Sequence, residues 1–263
     1  MAEPHQFIRV SDVNRIRWLE FNRGPVNAFN RKMVEEMRDA LATATTDPDV
    51  RVIVLASAVE KYFSAGADLN EFRGMKSDGM SAWVTMCHDI ANLLRNANKP
   101  ILAAIHGTAV GGGLEMTLHC DVRFAAAGSR FGQPEIQIAF IPPIATTQAL
   151  VRLIGRPRTL RYLYDGSLVA AEQALNWGLI DEIVEADALR SHVQDYAENL
   201  ATKSAAALTA IRKTVTTGGG LTFDEGMQLE HRMAVGLADT PDFAEGIIAF
   251  LEKRSPKWEG DQN

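Results

Sequence analysis

The sequence predicts an α/β fold, on three observations. Short β-branched apolar runs alternate with amphipathic stretches through the first half of the chain. The clearest runs, Val50–Ala56 (VRVIVLA) and Pro100–Ile105 (PILAAI), have the length and composition of buried strands. The stretches between them repeat their apolar residues at helical spacing, the alternation expected of strands covered by helices.

Taken in order, Phe7–Val10 and Ile16–Phe21 read as short strands. Arg31–Thr45 carries Met33, Val34, Met37, Ala40 and Leu41 on one helical face. Val50–Ala56 is a strand, and Asp78–Asn96 a helix with Trp83, Met86, Ile90, Leu93 and Leu94 inward. Pro100–Ile105 is a strand, Gly111–His119 a short helix and Asp121–Ala126 a further strand. From about Ala188 the pattern becomes helix after helix, broken at Gly218–Gly220. Thr240-Pro241 reads as an N-cap followed by proline at the first helical position, within a helical stretch from Phe223 to Glu252. The predicted organisation is one α/β unit over 1–187, carrying the candidate site, and a helical region over 188–263.

A chain of 263 residues, 46% of them hydrophobic, can bury one large core. Its net charge of −6 and pI of about 5.6 argue against a general nucleic-acid-binding role, which needs a basic face. Cys87 and Cys120 form no CxxC motif and no disulfide framework, and no His/Cys set has metal-ligand spacing, so no metal is expected. A reducing compartment follows. The opening MAEPHQFIRVSD lacks an apolar signal core and an Arg/Ser-rich transit pattern. No apolar run is long enough for a bilayer. The expectation is a soluble cytoplasmic protein.

Two segments carry chemistry. In Phe63–Phe72 (FSAGADLNEF) small residues follow a strand, and Asp68 with Glu71 has the D-x-x-E spacing of a capping box. The amide of Ala67 then lies beside a helix N-terminus, where it can face an anion. By itself the segment also fits an ordinary strand-to-helix turn. In Gly107–Asp121 (GTAVGGGLEMTLHCD), Gly111, Gly112 and Gly113 stand where a helix should start. Glycine costs on the order of 1 kcal/mol against alanine there. Close approach of a ligand to bare amides explains the run, and so does tight packing of the helix on the sheet. Amides from Ala67 and Gly112 together would make an oxyanion hole, each donor contributing roughly 3–4 kcal/mol to a charged intermediate.

Glu115 sits among Leu114, Met116 and Leu118, and Glu135 follows Pro134 in FGQPEIQI. Singly, each fits an exposed residue. As a pair near one carbonyl they suit general acid–base chemistry. His119-Cys120-Asp121 is a poor nucleophile candidate, because sequence neighbours rarely face one another as a triad must. No phosphate loop or dinucleotide fingerprint occurs.

With FSAGADL, KPILAAIHGTAVGGGLEMTLHCD and RFGQPEIQIAFIP in this order, the chain resembles the enoyl-CoA hydratase/isomerase (crotonase) superfamily, from NRGPVNAFN to EGIIAFLEKRSPKW. The resemblance implies a spiral of ββα units with a C-terminal helical region that builds homotrimers, often paired into hexamers. It implies acyl-CoA thioester substrates, with coenzyme A part of the substrate and no further cofactor. It places the oxyanion donors on Ala67 and Gly112 and the two hydratase glutamates on Glu115 and Glu135. CoA and substrate contacts fall on Ala65, Asp68, Leu69, Asn70, Phe250 and Lys253. Carrying both glutamates favours hydration of a 2-enoyl-CoA. The alternative is a Δ3-Δ2-enoyl-CoA isomerase using Glu135 as the proton shuttle, and a non-enzymatic RNA-binding or scaffolding role is disfavoured by the acidic balance.

Three positions depart from the pattern. Many hydratases read IPGAGGTQ where this chain has Ile141-Pro142-Pro143-Ile144-Ala145-Thr146-Thr147-Gln148. Proline has no N–H, so Pro143 removes an amide near the family's catalytic water. Asn70 stands in place of a CoA-binding lysine, and the loop Asn22–Asn27 has only Arg23 as a nearby charge.

Overall fold

The computed structural model describes residues 5–259. The first four residues of the stretch read for a leader lie outside them. The chain runs β1 (Ile8–Val13), β2 (Ile16–Phe21), α1 (Arg31–Thr46), β3 (Val52–Ser57), β4 (Tyr62–Ala65), α2 (Ser77–Asn96), β5 (Ile101–Ile105), β6 (Thr108–Val110) and α3 (Gly112–Thr117). There follow β7 (Val122–Ala126), β8 (Arg130–Gly132), α4 (Thr146–Ile154), α5 (Arg156–Asp165), β9 (Val169–Ala170), α6 (Ala171–Trp177) and β10 (Glu182–Val184). The remaining helices are α7 (Leu189–Ala201), α8 (Ala205–Thr216), α9 (Phe223–Ala238) and α10 (Pro241–Glu252). Short 3-10 turns occur at Leu69–Phe72, Pro134–Ile138 and Gly218–Gly220.

The strands divide between two sheets, ordered β1-β2-β3-β5-β7-β10 and β4-β6-β8-β9. The pairs β3/β4, β5/β6 and β7/β8 each give their first member to the larger sheet and their second to the smaller. Like members stack in parallel, β3 on β5 on β7 and β4 on β6 on β8. The chain therefore advances one strand per sheet per turn, which is the spiral of ββα units that the resemblance implied.

The strand run at β3 is continuously apolar because both faces are covered. Ile53 and Leu55 pack toward α1 and α2, while Val52 and Val54 pack toward Leu189, Val193 and Ala197 of α7. The helical region that begins near residue 188 thus starts by closing one face of the larger sheet. Among the described residues no helix is long and apolar enough to cross a membrane.

Arg212 on α8 fastens that region to the core. Its buried guanidinium donates to Asp121 at 2.8 Å and to the carbonyls of Leu94, Arg95 and Ala97 at the end of α2, at 2.6, 3.1 and 2.6 Å. Arg212→Met removes these four hydrogen bonds and, among the described residues, leaves Asp121 with only the Ile101 amide. The expected loss is about 3 kcal/mol of stability, measured by urea denaturation.

The Thr240-Pro241 start is as read from sequence, with the Thr240 side chain accepting from the Phe243 amide. The Asp68 cap is a correction. Asp68 opens only the four-residue 3-10 turn and accepts from the amide of Asn70, so no reciprocal capping box with Glu71 forms.

Candidate active site

The site follows from strand register. Ala65 of β4 lies opposite Val110 of β6, and Val110 lies opposite Gly132 of β8. The three parallel strands end together, and the next residues of each leave from the same edge. Gly66-Ala67, Gly111-Gly112 and Gln133-Pro134-Glu135 are thereby gathered at the carboxyl ends of parallel strands, where open α/β sheets bind ligands.

The three consecutive glycines have three different reasons. Gly111 has φ +53°, and a Cβ there would lie 2.9 Å from the Gly66 α-carbon and 3.0 Å from Glu135 Oε1. Gly113 is a packing glycine, since a Cβ would come within 2.2 Å of the Ser64 β-carbon. At Gly112 a Cβ would meet only ordinary contacts, Ile144 at 3.6 Å and Phe29 at 3.7 Å. Gly113→Ala is expected to cost about 1–3 kcal/mol by overpacking, and Gly112→Ala clearly less, in parallel denaturation curves.

The close passage of Gly66 and Gly111 sets the following residues, Ala67 and Gly112, side by side on the cavity wall. The bridge between Phe29 and Ala67 is made by the amides of Phe29 and Asp68, which donate to Gly66 and Phe29 carbonyls. The Ala67 amide takes no part in that bridge. Gly112 is the first residue of α3, and its amide is among those a helix cannot pair internally.

Glu115 is buried, contrary to what the type alone suggests. Its Oε2 accepts from the Ile144 amide at 2.7 Å and from the Thr146 hydroxyl at 2.6 Å. The other Ile144 backbone group is held as well, its carbonyl contacting His119 Nε2 at 2.7 Å. Burial holds the His119 pKa down, which keeps the ring neutral and leaves Nε2–H to donate. Residues 143–146 are thus clamped between Glu115 and His119. His119 is a support for the loop, and Cys120 is a buried thiol directed at the Met116 carbonyl.

Glu135 projects from the turn Pro134–Ile138, with proline at its first position and Ala139 in the left-handed conformation at its end. Its Oε2 is buried with no hydrogen-bond partner among the described residues. Burial raises the pKa of both glutamates, and the charge of Glu135 raises Glu115 further. Two donors on Glu115 act in the opposite direction, favouring its anion. Two buried carboxyls on one cavity retain a shared proton toward neutral pH.

That cavity has a volume of about 190 Å³ and is bordered by Ala67, Gly112, Glu115 and Glu135. The family model described as "Enoyl-CoA hydratase/isomerase" matches residues 13–262. The chain belongs to that family. It is 34% identical to (E)-benzylidenesuccinyl-CoA hydratase of Thauera aromatica over 94% of this chain and 96% of that protein. It is 32% identical to 2,3-dehydroadipyl-CoA hydratase of Escherichia coli K12, covering 95% and 98% of the two chains. The crystal structure of an enoyl-CoA hydratase from Bacillus anthracis superimposes with a TM-score of 0.92 at 32% identity, over 97% of this chain and 100% of that one.

In this member of the enoyl-CoA hydratase/isomerase family, Ala65, Ala67, Leu69, Gly112, Glu115 and Glu135 all border the cavity. Asp68 and Asn70 do not. They bond to one another at 2.9 Å. The Asn70 donors and then Arg23 hold the Asp68 pKa down. Arg23, the nearest cation to the departure at Asn70, bonds Asp68 at 3.0 Å and the Ala28 carbonyl at 2.6 Å. Phe250 and Lys253 lie away from the cavity within one chain. Phe250 borders a separate hollow with Phe243, Leu251 and Trp258, and Lys253 caps α10 in the left-handed conformation. Sequence reading missed Thr146 as a partner of Glu115 and Ile144 as its amide donor. The signal was present, because Pro143 lacks an N–H and the next amide along is that of Ile144.

Proposed function

We propose that the protein is an enoyl-CoA hydratase, reversibly adding water across the 2,3 double bond of a 2-enoyl-CoA thioester. The observation that carries this reading is the placement of the Ala67 and Gly112 residues at adjacent strand ends, with two buried carboxyls on the same cavity. Two amides directed at the thioester oxygen polarise the conjugated system and stabilise the enolate. Glu115, whose Oε2 receives two donors, serves as the ionised base. It takes a proton from water as the water oxygen bonds to the β-carbon, and the double-bond electrons move onto the thioester oxygen. Glu135, whose Oε2 lacks such donors, serves as the acid and delivers its proton to the α-carbon. The sum is one water added, with the proton on Glu115 passing to solvent or back to Glu135 before the next turnover. Deep burial of Glu115 opposes its ionisation, while charge-assisted hydrogen bonds of this length favour it.

Every step is a proton transfer or an addition, so the reading calls for nothing beyond the coenzyme A of the substrate. A homotrimer, or a hexamer of paired trimers, in the cytoplasm completes the proposal. The strongly exposed Val215, Phe223, Phe250 and Leu251 on and beside α8–α10 support an assembly surface. Assembly would also carry Phe250 and Lys253 toward a neighbouring subunit's CoA.

Incubation with crotonyl-CoA at a saturating concentration tests the reading. Loss of the conjugated-thioester absorbance is expected, and its absence with well-folded protein overturns the proposal. Pro143 favours one second reading, isomerisation through Glu135, because a water has one amide fewer to hold it. Conversion of a 3-enoyl-CoA without hydration of the 2-enoyl isomer would select it.

A further inference from the structure

The acyl cavity has aromatic side chains on its wall. Phe29, Phe72, Trp83 and Phe140 all border it, as do Met116 and Cys87. Three of these rings are in contact. Phe72 meets Trp83 edge-to-face at 5.0 Å and 89°, and is tilted 49° to Phe140 at 6.3 Å. Trp83 is anchored in the core from α2, which fixes its part of the wall. Aromatic rings in such arrangements offer edges and faces that favour a further ring, and a methionine sulfur adds a contact of the same kind.

Size and charge narrow the occupant. An apolar cavity of roughly 150 Å³ accepts benzene, and this one measures about 190 Å³. A six-membered ring plus the reacting carbons fills it, whereas a short straight chain leaves aromatic surface without contact. Among the described residues on its wall there is no arginine, lysine or histidine, and two of them are glutamates. An acyl group ending in a carboxylate would be buried beside like charge with no cation to pair it.

We propose that the acyl group this site takes carries an uncharged ring, aromatic or alicyclic, and that Trp83 determines this preference. The proposal rests on the thioester reading above but not on the hydration step. It is tested by calorimetric titration of the full chain with three saturated thioesters that cannot be hydrated: 3-phenylpropanoyl-CoA, butanoyl-CoA and adipoyl-CoA. The phenyl compound is expected to bind about tenfold or more tighter than butanoyl-CoA, and adipoyl-CoA about tenfold or more weaker. Phenyl binding no tighter than butanoyl, or adipoyl binding equal to it, overturns the proposal. Trp83→Leu should remove most of the ring preference, weakening 3-phenylpropanoyl-CoA about tenfold more than butanoyl-CoA. Equal weakening of both by that variant overturns the role of Trp83. Binding of none of the three overturns the thioester reading itself. Failure of the crotonyl-CoA assay with the ring preference intact overturns hydration alone.

Discussion

Glutamine at position 115 is expected to lower kcat by roughly 10²-fold or more while leaving substrate binding largely intact, and to make the protein more stable. The two effects have one cause. Glu115 is enclosed among apolar residues, and burial raises its pKa, so the ionised form that the reaction uses is held at a cost to the fold. A raised carboxyl pKa contributes stability in full below the unfolded value, and that stability is lost as pH rises toward the folded value. Glutamine is neutral throughout, and its amide oxygen can still accept from Ile144 and Thr146. The gain in melting temperature should therefore be small near pH 4 and grow on going to pH 8, by about 2–4 °C for each kcal/mol recovered. Thermal melts of wild type and Glu115→Gln across that range measure it. A variant that melts lower at every pH would show that the carboxylate is a net stabilising group, and that its ionised form is not held at a cost to the fold.

Proline at position 112 is the second large effect expected. Gly112 is the first residue of α3, a position where proline's missing N–H breaks no internal bond and its fixed φ suits the helix. On the proposed reading the substitution removes an oxyanion donor with limited harm to the helix, and kcat should fall by about 10²- to 10³-fold. Gly112→Ala is the control. It keeps the amide, and its methyl meets Ile144 and Phe29 at ordinary distances of 3.6 and 3.7 Å. A proline variant that folds and retains the alanine variant's kcat would remove Gly112 from the oxyanion hole.

The central strands of the larger sheet were legible because they are apolar on both faces, whereas its edge strand β10, EIV over three residues, went unread. Val52–Ser57 and Ile101–Ile105 sit between two helical layers, and so read as unbroken runs. The smaller sheet was not legible. β4, β6 and β8 are YFSA, TAV and RFG, too short for any periodicity, and their residues were absorbed into loops or into the glycine segment. Yet it is this sheet that gathers the cavity residues. The order of motifs found Ala67, Gly112, Glu115 and Glu135 without the register that joins them. The glycine run was half read. Ligand approach and packing stood as alternatives, and the structure assigns packing to Gly113 and backbone conformation to Gly111. The depth of Glu115 could not be read, because its burial depends on Ile144 and Thr146, some thirty residues away. A lone glutamate carries no mark of the donors that will meet it. Asp68 and Asn70 were placed correctly in the chain, but their side chains turn to each other and to Arg23.

The most direct measurement is a crystal structure of the protein with a bound, unreactive acyl-CoA analogue. The thioester oxygen should stand about 3 Å from both the Ala67 and Gly112 amide nitrogens, with the α- and β-carbons between Glu115 and Glu135. A ligand seated in the same cavity with its carbonyl turned from those two amides would contradict the catalytic arrangement described here.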